Sequence, residues 1–230
     1  MILNPKFIYP EVEQVTLDSG FRYYVCPETA AKMASVTTIL DSTADKSGLL
    51  EWRAWVGEVK ANTIRDEASQ LGSLMHTHVE CFVEGIERPS ARTPFRKQAS
   101  DMADLIIEKG LPKVDEVWGV ETRLYVPGLF AGTTDLCGIY DGKEAIMDHK
   151  SSKKLKNKSD IIDYRDQLSA YAIAHNERYG TNIETGVVFM ACRTGEYKTF
   201  VFDADEMKEG KQSFINRLEH YYANAPEIVA

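Results

Sequence analysis

The sequence predicts a mixed α/β fold of the α+β type, one domain with a mixed central sheet flanked by helices. Three observations carry this expectation. A length of 230 residues with 43% hydrophobic residues suits one large core and is short for two. Residues 35–85 and 95–109 place apolar side chains at helical spacing. Residues 117–150 instead alternate β-branched and aromatic residues with polar ones, and helical spacing returns after them.

Along the chain, residues 13–26 read as a hairpin turning at Asp18-Ser19-Gly20. Ser35 is a candidate N-cap for a helical stretch that breaks near 45–48 and resumes with Leu49, Leu50, Trp52, Trp55 and Val56. That grouping predicts core packing for Trp52 and Trp55. A long helix is expected over 63–84. Pro89 and Pro94 mark a loop, and Gly110 stops a further amphipathic helix over 95–109. Strands follow over 117–126, 130–140 and 144–150, the last two joined at Asp141-Gly142, residue types suited to a tight hairpin turn. A lysine-rich loop over 151–158 leads to Ser159 as N-cap of a helix ending near Tyr179, with Gly180 closing it. Strands over 183–193 and 197–202 and a helix over 205–222 complete the pattern.

Charge and cysteine usage narrow the function classes. With 27 basic and 35 acidic residues the chain carries −8, which excludes a uniformly basic nucleic-acid coat. Cys26, Cys81, Cys137 and Cys192 form no CxxC pair, so the expectation is reduced, buried thiols and neither zinc nor iron–sulfur ligation. Residues 1–6 lack a signal-peptide pattern, and no apolar run approaches about 18 residues. An intracellular, cytoplasmic protein without a membrane partner is expected.

Three constellations could carry chemistry. Gly72, His76 and Glu80 are spaced four apart, so one helix face carries all three. An imidazole and a carboxylate at that spacing can serve one ion, and a glycine beneath them lets another backbone approach. His78 falls on the opposite face, without a role. Gly132-Thr133-Thr134-Asp135 and Asp148-His149-Lys150 come next, with Asp135 and Asp148 each six residues from the Asp141-Gly142 loop and so roughly opposite one another. Alternation aims Asp148 and Lys150 to one side and His149 to the other. Paired carboxylates repel, and a divalent cation such as Mg²⁺ or Mn²⁺ relieves the repulsion with hard oxygen ligands. Gln167 and Tyr171, again four apart, offer neutral groups to a phosphate or base edge, unless Tyr171 packs in the core. Each motif alone also reads as an ordinary polar face.

In their order, GxxxHxxxE, GxxD, DxK and QxxxY, these motifs resemble the RecB-type branch of the PD-(D/E)XK nuclease superfamily. Within it they look most like the mitochondrial genome maintenance exonuclease group and related phage exonucleases, over about residues 35–171. The resemblance implies a restriction-endonuclease-like core over about 63–230, with an N-terminal hairpin and helical extension over 1–62 in the same domain. It implies a Mg²⁺- or Mn²⁺-dependent deoxyribonuclease that hydrolyses DNA from free ends of single strands, in replication, recombination or repair. If phage-encoded, it would act in the host cytoplasm.

By that resemblance His76, Asp135 and Asp148 would ligate one or two ions with the backbone carbonyl of His149, and Lys150 would be the catalytic lysine. Glu80 and Glu121 would fill further acidic positions near the metal, and Gln167 and Tyr171 would contact DNA. The cysteine cluster of iron–sulfur relatives is missing, so no such cluster is implied. Lys150, Lys153, Lys154, Lys156 and Lys158 supply five charges that suit phosphate, or else a solvated loop. Trp52, Trp55 and Tyr164 are candidate stackers for unpaired bases. A catalytically silent DNA-binding protein on the same fold, or a structure-specific endonuclease, is the alternative.

Overall fold

Alternation along the central strands sends their side chains into two opposite cores, and helices cover both faces of one sheet. The computed structural model describes residues 1–16 and 22–224. In order the elements are β1 (Ile2–Leu3), β2 (Glu13–Thr16), β3 (Arg22–Val25), β4 (Lys32–Ser35), α1 (Val36–Ser42), α2 (Ser47–Val56), α3 (Glu58–Glu84) and α4 (Pro94–Lys109). There follow β5 (Val114–Val126), β6 (Phe130–Tyr140), β7 (Lys143–Ser152), α5 (Ile162–Tyr179), β8 (Thr185–Cys192), β9 (Tyr197–Phe202) and α6 (Ala204–Ala223).

On one face Leu136, Met147, Val187 and Phe189 meet Leu71, Met75, Val79 and Val83 of α3 and the apolar stripe of α4. On the other, Cys137, Ile146, Val188 and Met190 meet Leu168 and Ala172 of α5 and Phe214 and Leu218 of α6. Burying each such large side chain contributes about 1.5–3 kcal/mol, so this two-sided alternation holds the sheet between its helices.

Local signals fix most element ends. The Ser35 hydroxyl accepts the Thr38 N–H, as its N-cap role predicts. Thr93 caps α4 with Pro94 in the first turn, and Gly85 and Gly180 close α3 and α5 in left-handed backbone. Asp141 and Gly142 both take positive φ, 49° and 74°, in the two-residue loop between Tyr140 and Lys143. All four cysteines are buried free thiols. No helix among the described residues is long and apolar enough to cross a membrane.

Several expectations need correction. Trp52 and Trp55 do not pack in the core: α2 has no buried residue, and Trp55 is 84% exposed. Helical spacing identifies an apolar stripe without saying what lies against it, and α2 is tied back where Arg53 reaches Glu58 and Asn62 of α3. The long helix starts at Glu58 rather than 63, after Gly57 turns the chain at φ 89°. Ser159 is not the cap; Asn157 and Asp160 form a capping box on a single 3₁₀ turn, Lys158–Ile161, that precedes α5. Strands β1 and β4, too short to show periodicity, went unpredicted. The hairpin of residues 13–26 pairs Glu13 with Val25 and Thr16 with Arg22, and its turn lies outside the described residues.

Strand order is β2-β3-β4-β6-β7-β8-β9, with β5 also on β6 and β1 on β5. Along one edge β6 pairs with β5 over most of its length. The opposite edge is shared: β4 pairs at Phe130 and Ala131, and β7 at Leu136–Tyr140. Among the described residues no strand pairs with 132–135 on that edge. The sheet therefore forks there, and the gap holds the Gly132-Thr133-Thr134-Asp135 motif.

Candidate active site

The fork is opened by a side chain. Beyond the Leu136–Met147 pair the register would set Asp135 against Asp148, yet pairing stops. The Asp135 carboxylate instead accepts the backbone N–H of His149 at 2.5 Å. A backbone donor that a ladder bond would have used is thus satisfied by the site's own acid.

Helices enter the fork from both faces, and a glycine makes room for each. On α3, a methyl added at Gly72 would stand 3.0 Å from Ser151 Oγ of β7. On β6, one added at Gly132 would stand 2.7 Å from the Tyr171 ring of α5. The first contact brings His76, one turn past Gly72, to the gap from above; the second seats α5 beneath it.

His76 Nδ1 lies 3.3 Å from Asp135 Oδ1, His149 Nδ1 lies 3.6 Å from Asp135 Oδ2, and Lys150 Nζ lies 2.6 Å from Asp148 Oδ2. Asp135, Asp148 and His149 are all buried. One donor atom from each of His76, Asp135 and His149 falls within 4.8 Å of the others, a set that can hold a metal ion. The arrangement opens on a cleft of about 840 Å³, lined by α3 on one side and by Glu121, Arg123, Thr133, Lys150 and Ser151 on the sheet side.

Electrostatics separate the acids. Burial opposes the His76 imidazolium, but the Asp135 charge outweighs it and raises His76 to about 9. Burial would also raise Asp135, yet His76 holds that carboxyl well below the usual carboxylate range. Asp148 goes the other way, pushed up to about 6 by burial against the pull of Lys150. Burial works against the Lys150 ammonium, and Asp148 keeps its pKa raised all the same. Glu121 lies on the cleft's exposed lip, where partial desolvation and then the Asp135 charge push it up to about 7. Glu80 is raised by burial and by Glu84. This crowd of acids, three of them pushed toward neutrality, is the repulsion that a bound cation relieves.

The fold brings His76, Glu80, Glu121, Asp135, Asp148, His149 and Lys150 to one place. It treats the other candidates differently. Tyr171 is 2% exposed and receives a hydrogen bond from Gln167 Nε2 at 3.2 Å, so its ring supports β6 from within the core. Lys153 and Lys154 are exposed; Lys156 lies over the Tyr164 ring, and Lys158 is tied to Glu206 at 2.6 Å. His78 is buried and accepts from Arg88, which also binds Asp104, pinning α3 to α4. Sequence reasoning missed Gln14, Arg22 and Arg123, which line the cleft opposite α3. Arg22 sat legibly in the predicted hairpin and Arg123 two residues from Glu121, but their convergence required the sheet.

Fold and site together define a class: a mixed-sheet α/β protein with an acid-, histidine- and lysine-bearing cleft at a fork between adjacent strands. No family model and no curated protein matches the chain. Among solved structures it is similar to a "putative exonuclease" from Eubacterium rectale, at 15% identity and TM-score 0.45, over 68% of this chain and 69% of that one. It is also similar to a protein designated SSO0001, at 12% identity and TM-score 0.41, over 85% and 86% of the two chains. Likeness at this level says nothing of chemistry.

Proposed function

We propose that this chain is a metal-dependent DNA nuclease of PD-(D/E)XK type, using Mg²⁺ or Mn²⁺ to hydrolyse phosphodiester bonds, with free ends of single strands as its preferred substrate. One observation carries the reading: motifs from α3, β6 and β7 meet at a single sheet fork, with His76 3.3 Å from Asp135 and Lys150 2.6 Å from Asp148. A divalent ion at such a site supplies Lewis-acid polarisation of a phosphate and a bound water of lowered pKa.

The chain's own residues then have distinct tasks. Asp135 and Asp148 supply the negative charge that holds the ion. His76 adds a nitrogen donor, and Glu121 and Glu80 stand at the lip where a second ion or a water would be held. Lys150, kept as an ammonium by Asp148, orients the water and screens charge growing on the phosphate; in that state it is not the proton acceptor. Arg22 and Arg123 line the cleft with charges that suit the phosphates on either side of the bond cut, and the exposed Lys153 and Lys154 follow its lining residue Ser151 in the chain. The exposed Trp55 of α2 is free to stack on an unpaired base.

The test is digestion of end-labelled DNA, single- and double-stranded, linear and circular, with Mg²⁺, Mn²⁺ or EDTA. Metal-dependent loss of linear single strands is expected. Nicking of closed circles would redirect the reading to an endonuclease, and no cleavage with any metal would support the silent DNA-binding alternative.

A further inference from the structure

We propose that the imidazole of His149, through Nδ1, ligates the bound metal beside His76 and Asp135, and that this set selects a first-row transition ion over Mg²⁺. The inference rests on the metal-dependent reading above. Strand alternation aims His149 away from Asp148 and Lys150, and the family resemblance implies only its backbone carbonyl as a ligand.

The fork brings the Asp135 carboxylate to that other side. Because Asp135 takes the His149 N–H, its carboxylate is drawn across the strand, and His149 Nδ1 ends 3.6 Å from Oδ2. His76 arrives from α3 on the same side, with ring centroids 5.6 Å apart. Phe189 of β8 lies 5.8 Å behind the His149 ring at 30° and fixes its plane. The His149 side chain is 3% exposed; among the described residues Nε2 has no hydrogen-bond partner, and Nδ1 stands 3.6 Å from Asp135 Oδ2, beyond hydrogen-bond reach. Ligation through Nδ1 would give this buried ring its polar partner, with the proton left on Nε2.

Two imidazoles beside Asp135, even with Asp148 as a second carboxylate, make a set rich in nitrogen. Mg²⁺ demands oxygen ligands in a near-ideal octahedron and keeps its waters, whereas first-row transition ions gain from imidazole, in the Irving–Williams order. His149 is thereby the residue that sets metal preference, and Asp135, which holds its backbone N–H and faces its ring, is the pivot.

The experiment uses the full chain with ¹⁵N-labelled histidine, loaded with Mn²⁺ and examined by electron–nuclear double resonance, which needs no activity. Couplings to two histidine nitrogens are expected in the wild type, and to one in either His76→Gln or His149→Gln. Calorimetric titration should show Mn²⁺ binding about tenfold or more tighter than Mg²⁺, with the gap narrowing in His149→Gln. A single coupling that vanishes in His76→Gln and persists in His149→Gln would overturn the proposal, and the wild-type count decides it even if a variant misfolds. Mn²⁺ bound through two imidazoles by a protein that cuts no DNA would defeat the nuclease reading and leave this one standing. Failure to bind Mn²⁺ at all would defeat both.

Discussion

The carboxylate of Asp135 and the backbone N–H of His149 are joined at 2.5 Å, where antiparallel pairing between β6 and β7 would otherwise continue. One acid therefore shapes the sheet and serves the site, and the two roles come apart on mutation. Asp135→Asn keeps an oxygen to accept the N–H and loses the charge. It should lower DNA hydrolysis about a hundredfold or more, with a melting temperature near wild type. Asp135→Ala should lose the same activity and also about 1–3 kcal/mol of stability, because the N–H is left buried and unpaired. Urea denaturation of the two variants separates these outcomes, and equal stability would remove the structural role.

Lys150 is expected to act on rate more than on affinity. Its ammonium is held by Asp148 inside the cleft rather than displayed to solvent. Lys150→Ala should therefore lower kcat by about a hundredfold and change the Kd for a non-cleavable strand by less than about threefold. Lys153→Ala with Lys154→Ala should do the reverse, weakening binding and flattening its salt dependence while kcat holds. Parallel losses of affinity in both sets would assign Lys150 to binding alone.

The two motif glycines should differ in tolerance. Gly132→Ala drives a methyl to 2.7 Å from the Tyr171 ring, which α5 and the core hold in place, so about 1–3 kcal/mol of stability should be lost. At Gly72 the neighbour is a serine hydroxyl at 3.0 Å, which can rotate aside, and Gly72→Ala should cost under about 1 kcal/mol. Chemical denaturation curves check both.

Acid stability should bear the mark of His175. It is buried between Tyr9 and Thr181, with Nε2 3.0 Å from the Tyr9 hydroxyl and Nδ1 2.8 Å from Thr181 Oγ1. Burial, helped by Lys6, pushes it down to about 4. Between about pH 6.5 and 4 the unfolded chain then binds a proton that the folded chain refuses, so this group's contribution is complete above 6.5 and shrinks as pH falls. The advantage of wild type over His175→Gln should narrow by roughly 2 kcal/mol across that window. A gap that stays constant with pH would contradict the buried neutral imidazole.

Trp55→Ala should leave stability within about 0.5 kcal/mol of wild type, since its side chain is 84% exposed. A large loss of stability would mean that α2 packs more closely than the fold shows. Weaker binding of a single strand at unchanged stability would support the stacking role.

Much of this protein is legible without coordinates, and what is legible is local. The hairpin at Asp141-Gly142 follows from residues that tolerate positive φ, and the caps at Ser35 and Gly180 from side-chain and backbone chemistry within one turn. The equal distances of Asp135 and Asp148 from that hairpin already set them on facing strands. Periodicity likewise separated the helices from the strand meander, because burial on one side repeats at 3.6 or at 2 residues.

Only the tertiary structure decided the rest. Strand β4 pairs with Phe130 and Ala131, and the fork exists because it and β7 share one edge of β6, a long-range arrangement that no short spacing encodes. Alternation holds at His149, whose ring faces His76 and Phe189 while Lys150 lies over Tyr164 on the other side; what it could not show is that the Asp135 carboxylate crosses the gap to meet it. Trp52 and Trp55 show the opposite limit, since an apolar stripe states what a helix can bury and not whether anything covers it. Local chemistry determines which conformations a segment prefers; which segments meet depends on packing among residues distant in sequence, and the site lies where three of them converge.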